Sequence, residues 1–240
     1  AHPGRSLAAA HVRLEMLEEA IQVMRRLFTG EEVSHHGTHY TVENARLYTV
    51  PDEPVPIDVS GFGPAATQLA SRVADGYITV MPDAAMVEQY RKGGGGGKLV
   101  SGGTKVCYGA DKDECVRTVH RLWANEQLPG ELGQVLPSPK HFEQAQQLVT
   151  EDMVRENRVC GDDVDEHVAE LKGFADAGFD RIYVNQIGPD HRASSTSTAR
   201  RCCRRCERTR TGPHPLSAGE APSRLRDVSV SRCRRPVRPE

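Results

Sequence analysis

Apolar residues recur at helical spacing near the start of the chain. Within His11–Phe28 they are separated by three or four positions, with Glu and Arg among the residues between them. Apolar residues at this spacing form one stripe along an α-helix, and Gly30 follows as a stop signal. The pattern predicts an amphipathic helix. Its apolar stripe consists of Leu14, Leu17, Ile21, Met24 and Phe28.

The next segment, Glu32–Tyr48, alternates around Gly37 and Glu43-Asn44, which predicts a short hairpin. Its histidines, His35, His36 and His39, are candidate metal ligands. Adjacent residues of a strand point to opposite faces, so the three imidazoles would not converge on one ion. We therefore predict an ordinary hairpin and no metal site.

Four short apolar runs then alternate with helical patterns. The predicted strands are Ile57–Ser60, Tyr77–Met81, Thr104–Gly109 and Arg181–Ile187. The predicted helices are Pro64–Val73, Asp83–Arg91, Asp111–Trp123 and Asp163–Ala177, with shorter helical pieces within Pro137–Asn157. The glycine run Gly93–Gly97 has the composition of a flexible linker. The alternation predicts an α/β fold with a parallel sheet, and an open doubly wound sheet and part of a closed barrel both fit it.

The chain joins two segments of different composition. Residues 191–240 hold 13 Arg, no Lys and 4 acidic residues, a net charge of +9, so the first 190 residues carry −11 against the total of −2. The Arg-rich segment has few large apolar residues and cannot bury enough surface to offset the entropy lost on ordering. We predict a disordered basic tail.

The composition of this tail allows three interpretations. Arg neutralises phosphates, which would make the tail a nucleic-acid-binding arm. Cys202, Cys203 and Cys206 have a zinc-like spacing but lack a convincing fourth ligand. Arg without Lys, together with Ala, Ser, Pro and Cys, is typical of GC-rich DNA translated out of frame. We favour a frameshift near Asp190 and expect no nucleic-acid partner.

The sequence contains no run of about 18 apolar residues and no apolar signal-peptide region at its start. Outside the tail, Cys107, Cys115 and Cys160 are widely separated and odd in number, which is typical of reduced thiols. We expect a cytoplasmic protein with no membrane contact.

Several stretches in succession resemble the luciferase-like monooxygenase superfamily. Two of them are VRLEMLEEAIQVMRRLFTGEEVSHHGTHYTVENARLYTVP and PIDVSGFGPAATQLASRVADGYITVMP. Two more, LPGELGQVLPSPKHFEQAQQLVT and DAGFDRIYVNQIGPD, are similar to its deazaflavin-using branch, which is related to glucose-6-phosphate dehydrogenases that use coenzyme F420. The resemblance covers residues 11–190.

The resemblance implies a partial TIM-type β/α barrel made of the last four of eight strands. Segment 1–10 is then an irregular remnant, 11–190 the C-terminal half of the barrel and 191–240 the tail. Closure is what removes the edge strands of a barrel, so a truncated barrel exposes apolar faces. We expect this form to be inactive and to fold poorly, to pair with itself or not to be made. The alternative is a non-catalytic fragment that pairs with a full-length relative.

The activity that the resemblance implies is hydride transfer between coenzyme F420 and a small organic substrate. The alternative is a monooxygenase that uses FMN. In the family, the acid–base His and Glu lie mostly on the first four strands. No residue of this chain inherits those roles, so we predict no catalytic residue.

The predicted cofactor-binding segment is Ser60, Gly61, Phe62 and Gly63. It follows a strand and precedes a helix, where glycines let the backbone approach a phosphate and helix-start amides point at the anion. Active sites of β/α barrels gather at the C-terminal ends of the strands, so position and chemistry agree. The alternative is a tight turn with no ligand.

The resemblance makes Thr79, Met81 and Gln186 predicted substrate-pocket residues, with structural packing as the alternative for each. The sugar-phosphate dehydrogenases of this branch hold their substrate's phosphate with basic residues near these strand ends. Here the loop reads Pro82-Asp83-Ala84. We therefore do not expect sugar-phosphate specificity.

Overall fold

The computed structural model describes residues 8–130 and 132–188 of the 240-residue chain. The predicted tail, 191–240, and most of segment 1–10 lie outside the described residues. The chain divides into two compact units, one up to Ser101 and one from Gly102. The predicted alternation of strands and helices is confirmed in both units.

The first unit contains three helices and the strands before β5. Its elements are α1 (Ala10–Leu27), β1 (Val33–His36), β2 (Thr41–Ala45), β3 (Asp58–Ser60), α2 (Pro64–Val73), β4 (Gly76–Ile78), α3 (Ala84–Tyr90) and the start of β5 (Leu99–Val106). The second unit continues β5 and adds α4 (Lys112–Trp123), α5 (Leu132–Val135), α6 (Pro139–Gln146), α7 (Glu151–Asn157), α8 (Val164–Asp176) and β6 (Arg181–Gln186).

The sheet has the strand order β3-β4-β5-β6. β3 and β4 are parallel, and β4 and β5 are parallel, as the alternating pattern predicts. One cross-strand row, Val59, Tyr77 and Val100, is almost fully buried. Asp58 and Ser60, on either side of Val59, are exposed, because successive strand residues point to opposite faces.

Helix starts follow their capping residues. Asp83, Asp111 and Asp163 each precede a helix and accept hydrogen bonds from its first amides. Pro64 occupies the first position of α2, as predicted. A carboxylate at this place satisfies amides that have no partner within the helix, and Pro has no amide to satisfy.

The prediction of a flexible linker in the glycine run was wrong. The chain follows α3 through Arg91–Gly95 with a kink at Gly94, whose φ is +122°, and Gly95 is buried. A Cβ at Gly95 would collide with the ring of Tyr90, and one at Gly93 would collide with Ser71. Glycine is therefore used here for close packing.

The strand boundaries also needed correction. The strand predicted at Thr104–Gly109 begins five residues earlier, at Leu99, and ends at Val106. Gly102 lies inside this strand. The rings of Phe174 and Phe179 occupy the space that a Cβ at this position would need, which favours a glycine here. The strand predicted at Tyr77–Met81 ends at Ile78.

The core of the second unit brings together all three cysteines outside the tail. Burial raises the pKa of Cys107 to about 12 and that of Cys160 to about 11, so both remain protonated thiols at neutral pH. The thiol of Cys107 donates to the carbonyl of Ile187 at 3.2 Å. The buried cluster consists of Cys107, Cys115, Val116, Val119, Ala124, Val149, Val154, Cys160 and Ile187.

The predicted hairpin, β1 with β2, is confirmed as an antiparallel pair, and Glu19 of α1 holds its turn. The Glu19 carboxylate contacts His35 Nε2 at 2.9 Å and accepts from the backbone amides of His39 and Tyr40, each at 3.0 Å. Gly37 lies against the same carboxylate, where a Cβ would collide with it. One carboxylate therefore fixes the hairpin on the helix.

The three histidines of the hairpin contact three different carboxylates. The pairs are His35 with Glu19 at 2.9 Å, His36 with Glu43 at 3.2 Å and His39 with Glu15 at 3.4 Å. Each imidazole thus has its own partner on α1 or β2. The prediction that this segment binds no metal stays a prediction.

Gly102→Ala is expected to destabilise the second unit by about 1–3 kcal/mol, because the added Cβ would lie 2.7 Å from the Phe179 ring and 2.9 Å from the Phe174 ring. The measurement is urea unfolding followed by circular dichroism. The control is Gly103→Ala, whose Cβ would meet only ordinary contacts of 3.5 Å or more. Equal stability of the two variants would contradict this account.

Glu19→Gln is expected to destabilise the first unit at neutral pH. The hydrogen bond with His35 is the main cause of a pKa for Glu19 below its ordinary value of 4.5, with help from the Tyr40 and His39 amides. A group whose pKa is lower in the folded state stabilises above its unfolded pKa, and that stabilisation is lost as the pH falls through the folded pKa.

The difference in unfolding free energy between wild type and Glu19→Gln should therefore shrink as the pH is lowered from about 7 through the carboxyl range. Urea unfolding at a series of pH values measures it. Glu15→Gln serves as the control, since the Glu15 side chain is 61% exposed and its contact with His39 is longer. A difference that is constant with pH would rule out this role for Glu19.

Candidate functional site

The predicted cofactor segment lies at the edge of the sheet where β3 and β4 end together. The two strands are parallel, so the loops that follow them leave the sheet side by side. The amide of Gly61 donates to the carbonyl of Ile78 at 3.2 Å, and that of Thr79 donates to the carbonyl of Ser101 at 3.1 Å. Strand pairing thus continues one residue into each loop.

Gly61 is buried, and there is little room for a side chain at its position. A Cβ there would lie 3.1 Å from the Cβ of Ala66 and 3.3 Å from the amide nitrogen of Thr67. The loop therefore passes close over the first turn of α2. The absence of a side chain at Gly61 serves this approach to α2. The predicted approach of the loop backbone to a phosphate stays a prediction.

The side chain of Tyr77 positions this loop through a hydrogen bond to its backbone. Its hydroxyl donates to the carbonyl of Gly61 at 2.8 Å and lies 2.8 Å from Oγ1 of Thr67. The Tyr77 and Thr67 side chains are fully buried. The ring stacks on Tyr90 at a centroid distance of 4.8 Å. Sequence reasoning missed Tyr77, since a Tyr in a strand signals only a half-buried, packed position.

The N-terminus of α2 has no side-chain cap. Gly63 is the capping residue in extended conformation, and Pro64 has no amide. Within the described residues no acceptor is found for the amides of Ala65 and Ala66. Among the described residues, no atom lies within 4 Å of the place that a Cβ of Gly63 would take, so the helix start is open on that side. Such a helix start can hold an anion.

The two loops that follow β3 and β4 carry exposed apolar side chains. Phe62 is 60% exposed, Val80 52% and Met81 64%. Ser60 is exposed, whereas Thr79 is only 3% exposed and so presents little side chain to a ligand. The two loops combine backbone amides suited to an anion with side chains suited to an apolar group.

Gln186 lies in the second unit, where its side chain is hydrogen-bonded to the backbone. Its Oε1 accepts from the amide of Tyr108 at 3.0 Å, and its Nε2 donates to the carbonyls of Tyr108 and Ile187, each at 3.0 Å. Both N–H bonds are therefore engaged by backbone carbonyls. These bonds match the structural alternative for Gln186, and contact with a substrate stays a prediction.

Tyr77→Phe is expected to destabilise the first unit by about 1–3 kcal/mol, because a buried carbonyl and a buried hydroxyl lose their partner. The amide of Gly61 should also exchange its hydrogen faster. Urea unfolding and amide hydrogen exchange measure the two effects. Tyr48→Phe is the control, since Tyr48 is 89% exposed. Wild-type exchange at Gly61 in Tyr77→Phe would show that the hydroxyl does not position the loop.

Comparison with known proteins agrees with the resemblance. An F420-dependent glucose-6-phosphate dehydrogenase from Microbacterium testaceum is 30% identical over 191 residues, which are 74% of this chain and 56% of the relative. The chain thus spans little more than half the length of that relative. No helix within residues 8–130 and 132–188 is both long enough and apolar enough to cross a membrane.

Solved structures show the same fold. An F420-dependent secondary alcohol dehydrogenase, solved in complex with an F420-acetone adduct, is 26% identical with a TM-score of 0.68 over 78% of this chain and 60% of its own. The coenzyme F420-dependent tetrahydromethanopterin reductase from Methanopyrus kandleri, at 18% identity, a TM-score of 0.57 and coverages of 74% and 59%, supports the fold alone.

The family model described as luciferase-like monooxygenase matches residues 4–181, which is most of the chain. The match includes the sheet edge with Gly61 and Gly63, and it extends into the second unit as far as Arg181. The chain belongs to the luciferase-like monooxygenase family.

Proposed function

We propose that this chain forms the last four strands of a luciferase-like β/α barrel and binds coenzyme F420 at the C-terminal ends of β3 and β4. The whole enzyme transfers a hydride between the deazaflavin and a small organic substrate. The uncapped start of α2, facing the open space at Gly63, carries this proposal. The F420 dependence named for the relative and for the first solved structure supports it.

The residues present fit the phosphate-bearing side chain of such a coenzyme. The amides of Ala65 and Ala66 lack acceptors among the described residues, and their helix start carries a partial positive charge. Gly63 leaves the backbone accessible, and Phe62 offers an exposed ring beside it. Gly61 contributes indirectly, since its amide and carbonyl are bonded to Ile78 and Tyr77 and hold the loop in place. When bound, the deazaflavin supplies the hydride chemistry, and this loop supplies binding and orientation.

No catalytic role is assigned to a residue of this chain, because the family's acid–base residues lie mostly on the first four strands. The Tyr77 hydroxyl is instead a positioning group, which holds the carbonyl of Gly61 and with it the loop. Thr79, Met81 and Gln186 remain proposed pocket residues. Among them, Met81 is the most accessible.

The test is titration of the chain with F420, followed by quenching of coenzyme fluorescence, with FMN titrated in parallel. Saturable binding of F420, tighter than that of FMN, is the expected result. Tighter binding of FMN would favour the alternative cofactor. Binding of neither would overturn the proposed site.

Gly63→Asp should weaken F420 binding about tenfold while raising stability by a few tenths of a kcal/mol. The new carboxylate would cap α2, which stabilises the helix, and would occupy and repel at the same amides. No atom opposes a Cβ at this position, so the variant is expected to fold.

Two further variants separate charge from occupancy. Gly63→Asn caps the helix without a charge and should fall between wild type and Gly63→Asp in affinity. Gly63→Ala provides neither a cap nor a charge and should bind nearly as wild type does. If Asp, Asn and Ala weakened binding equally, the coenzyme's anion would not lie at the α2 amides.

A further inference from the structure

We infer that Thr67 is a positioning residue of the loop from Ser60 to Gly63, and that it acts through the hydroxyl of Tyr77. This inference rests on the proposed function, in which the loop binds the coenzyme, and it names a residue that sets the shape of that loop. Thr67 lies near the start of α2. Its side chain is fully buried, so it can affect a ligand only through other residues.

Thr67 is connected to the loop at two carbonyls. Its backbone amide donates to the carbonyl of Gly63 at 2.9 Å, which closes the first turn of α2. Its Oγ1 lies 2.8 Å from the hydroxyl oxygen of Tyr77, which in turn lies 2.8 Å from the carbonyl oxygen of Gly61. The backbone on either side of Phe62 is therefore held by one residue of α2, directly at Gly63 and through Tyr77 at Gly61.

The direction of the two side-chain bonds follows from the number of protons. A carbonyl oxygen can only accept, so the single proton of the Tyr77 hydroxyl is donated to Gly61. The bond between Tyr77 and Thr67 then needs a proton from Thr67. The chain of donors runs from Thr67 to Tyr77 to Gly61. Because each bond in such a chain polarises the next, the proton of Thr67 strengthens the bond that the Gly61 carbonyl receives.

The sulfur of Met86, on α3, is a second acceptor near the Thr67 hydroxyl. It lies 3.7 Å from Oγ1. A thioether is a weak acceptor, whereas the phenolic oxygen of Tyr77 is a good one and lies at 2.8 Å. The hydroxyl of Thr67 has one proton to donate, so this proton goes to Tyr77. Met86 is therefore a packing neighbour of the chain of donors.

The whole chain of donors is buried inside the first unit. The side chains of Thr67 and Tyr77 are fully buried, and Gly61 is buried as well. A ligand or a further segment of polypeptide could not replace these partners without displacing them. Packing alone does not explain a threonine here, because valine has the same branched shape. What threonine adds to this shape is the donor that the Tyr77 oxygen receives.

The experiment is a double-mutant cycle on the whole 240-residue chain. Thr67→Val keeps the branched shape and removes the donor, and Tyr77→Phe removes the hydroxyl through which Thr67 acts. Two quantities are measured for both single variants and the double variant. They are hydrogen exchange of the Gly61 amide and the affinity for F420, followed by quenching of coenzyme fluorescence.

Thr67→Val alone is expected to speed exchange at Gly61 and to weaken F420 binding about threefold, because the bond to the Gly61 carbonyl loses its support. In the Tyr77→Phe background, Thr67→Val should change neither quantity further. A loss that persists in that background would overturn the inference, since Thr67 would then act by packing alone. Exchange at the wild-type rate in Thr67→Val would overturn it as well.

Three further variants separate the donor from the packing. Thr67→Ser keeps the hydroxyl but removes a buried methyl, so it should unfold at lower urea and still bind F420 as wild type does. Equal loss of affinity in Thr67→Ser and Thr67→Val would contradict the role of the donor. Thr41→Val, at an exposed position of β2, is the control for the exchange itself and should leave both quantities unchanged. Slower exchange at Gly61 in Met86→Leu would show that the sulfur takes the proton, and would contradict the direction of the chain.

The amide-exchange cycle needs no coenzyme. Failure of the wild-type chain to bind F420 would therefore overturn the proposed function, while exchange at Gly61 would still decide whether Thr67 positions the loop through Tyr77.

Discussion

The candidate site depends on one buried hydrogen bond, from the hydroxyl of Tyr77 to the carbonyl of Gly61. A carbonyl removed from water needs a partner, and this one finds it on the neighbouring strand. The bond holds the loop close to Ala66 and Thr67, where a Cβ at Gly61 would meet atoms at 3.1–3.3 Å. At Gly63, by contrast, no atom lies within 4 Å of the place that a Cβ would take. Removing the Tyr77 hydroxyl would release the constraint on the loop that carries the proposed anion site.

Local patterns in the sequence are enough to place most elements. The period of apolar residues predicts α1, and Asp83, Asp111 and Asp163 mark the starts of helices because a carboxylate there bonds the first amides. Pro64 marks α2 for a similar local reason. These signals depend on neighbours a few residues apart, so they can be recognised in the sequence without knowledge of the tertiary structure.

Glycines are where such reasoning failed. The run Gly93–Gly97 has the composition of a linker, but Ser71 and the ring of Tyr90 fill the space that side chains would need at Gly93 and Gly95. Gly102 precedes the predicted strand Thr104–Gly109, but the structure places it inside β5. Aromatic rings that are distant in the sequence pack on it, where a Cβ would otherwise lie. A glycine can make the backbone flexible or can let another residue pack closely against it. The tertiary neighbours of the glycine determine which of the two applies.

The site itself was predicted in part. The sequence identifies the loop from Ser60 to Gly63, since a strand, two glycines and a helix start lie in succession. It does not reveal the role of Tyr77, whose hydrogen-bond partner is 16 residues away in the sequence. Nor does it reveal the hydrogen bonds between Gln186 and Tyr108, which are 78 residues apart. The use of this edge as a cofactor site is a proposal that rests on the luciferase-like family assignment, because the four described strands alone do not specify a ligand.

The buried cysteines bear on how the second unit responds to its surroundings. Thiolates are the species that oxidants and alkylating reagents attack, and burial holds the thiols of Cys107 and Cys160 in the protonated form. Modification therefore has to wait until the core opens and admits both water and reagent. The rate at which these sulfurs react therefore reports how often that core opens, and it says little about their intrinsic nucleophilicity.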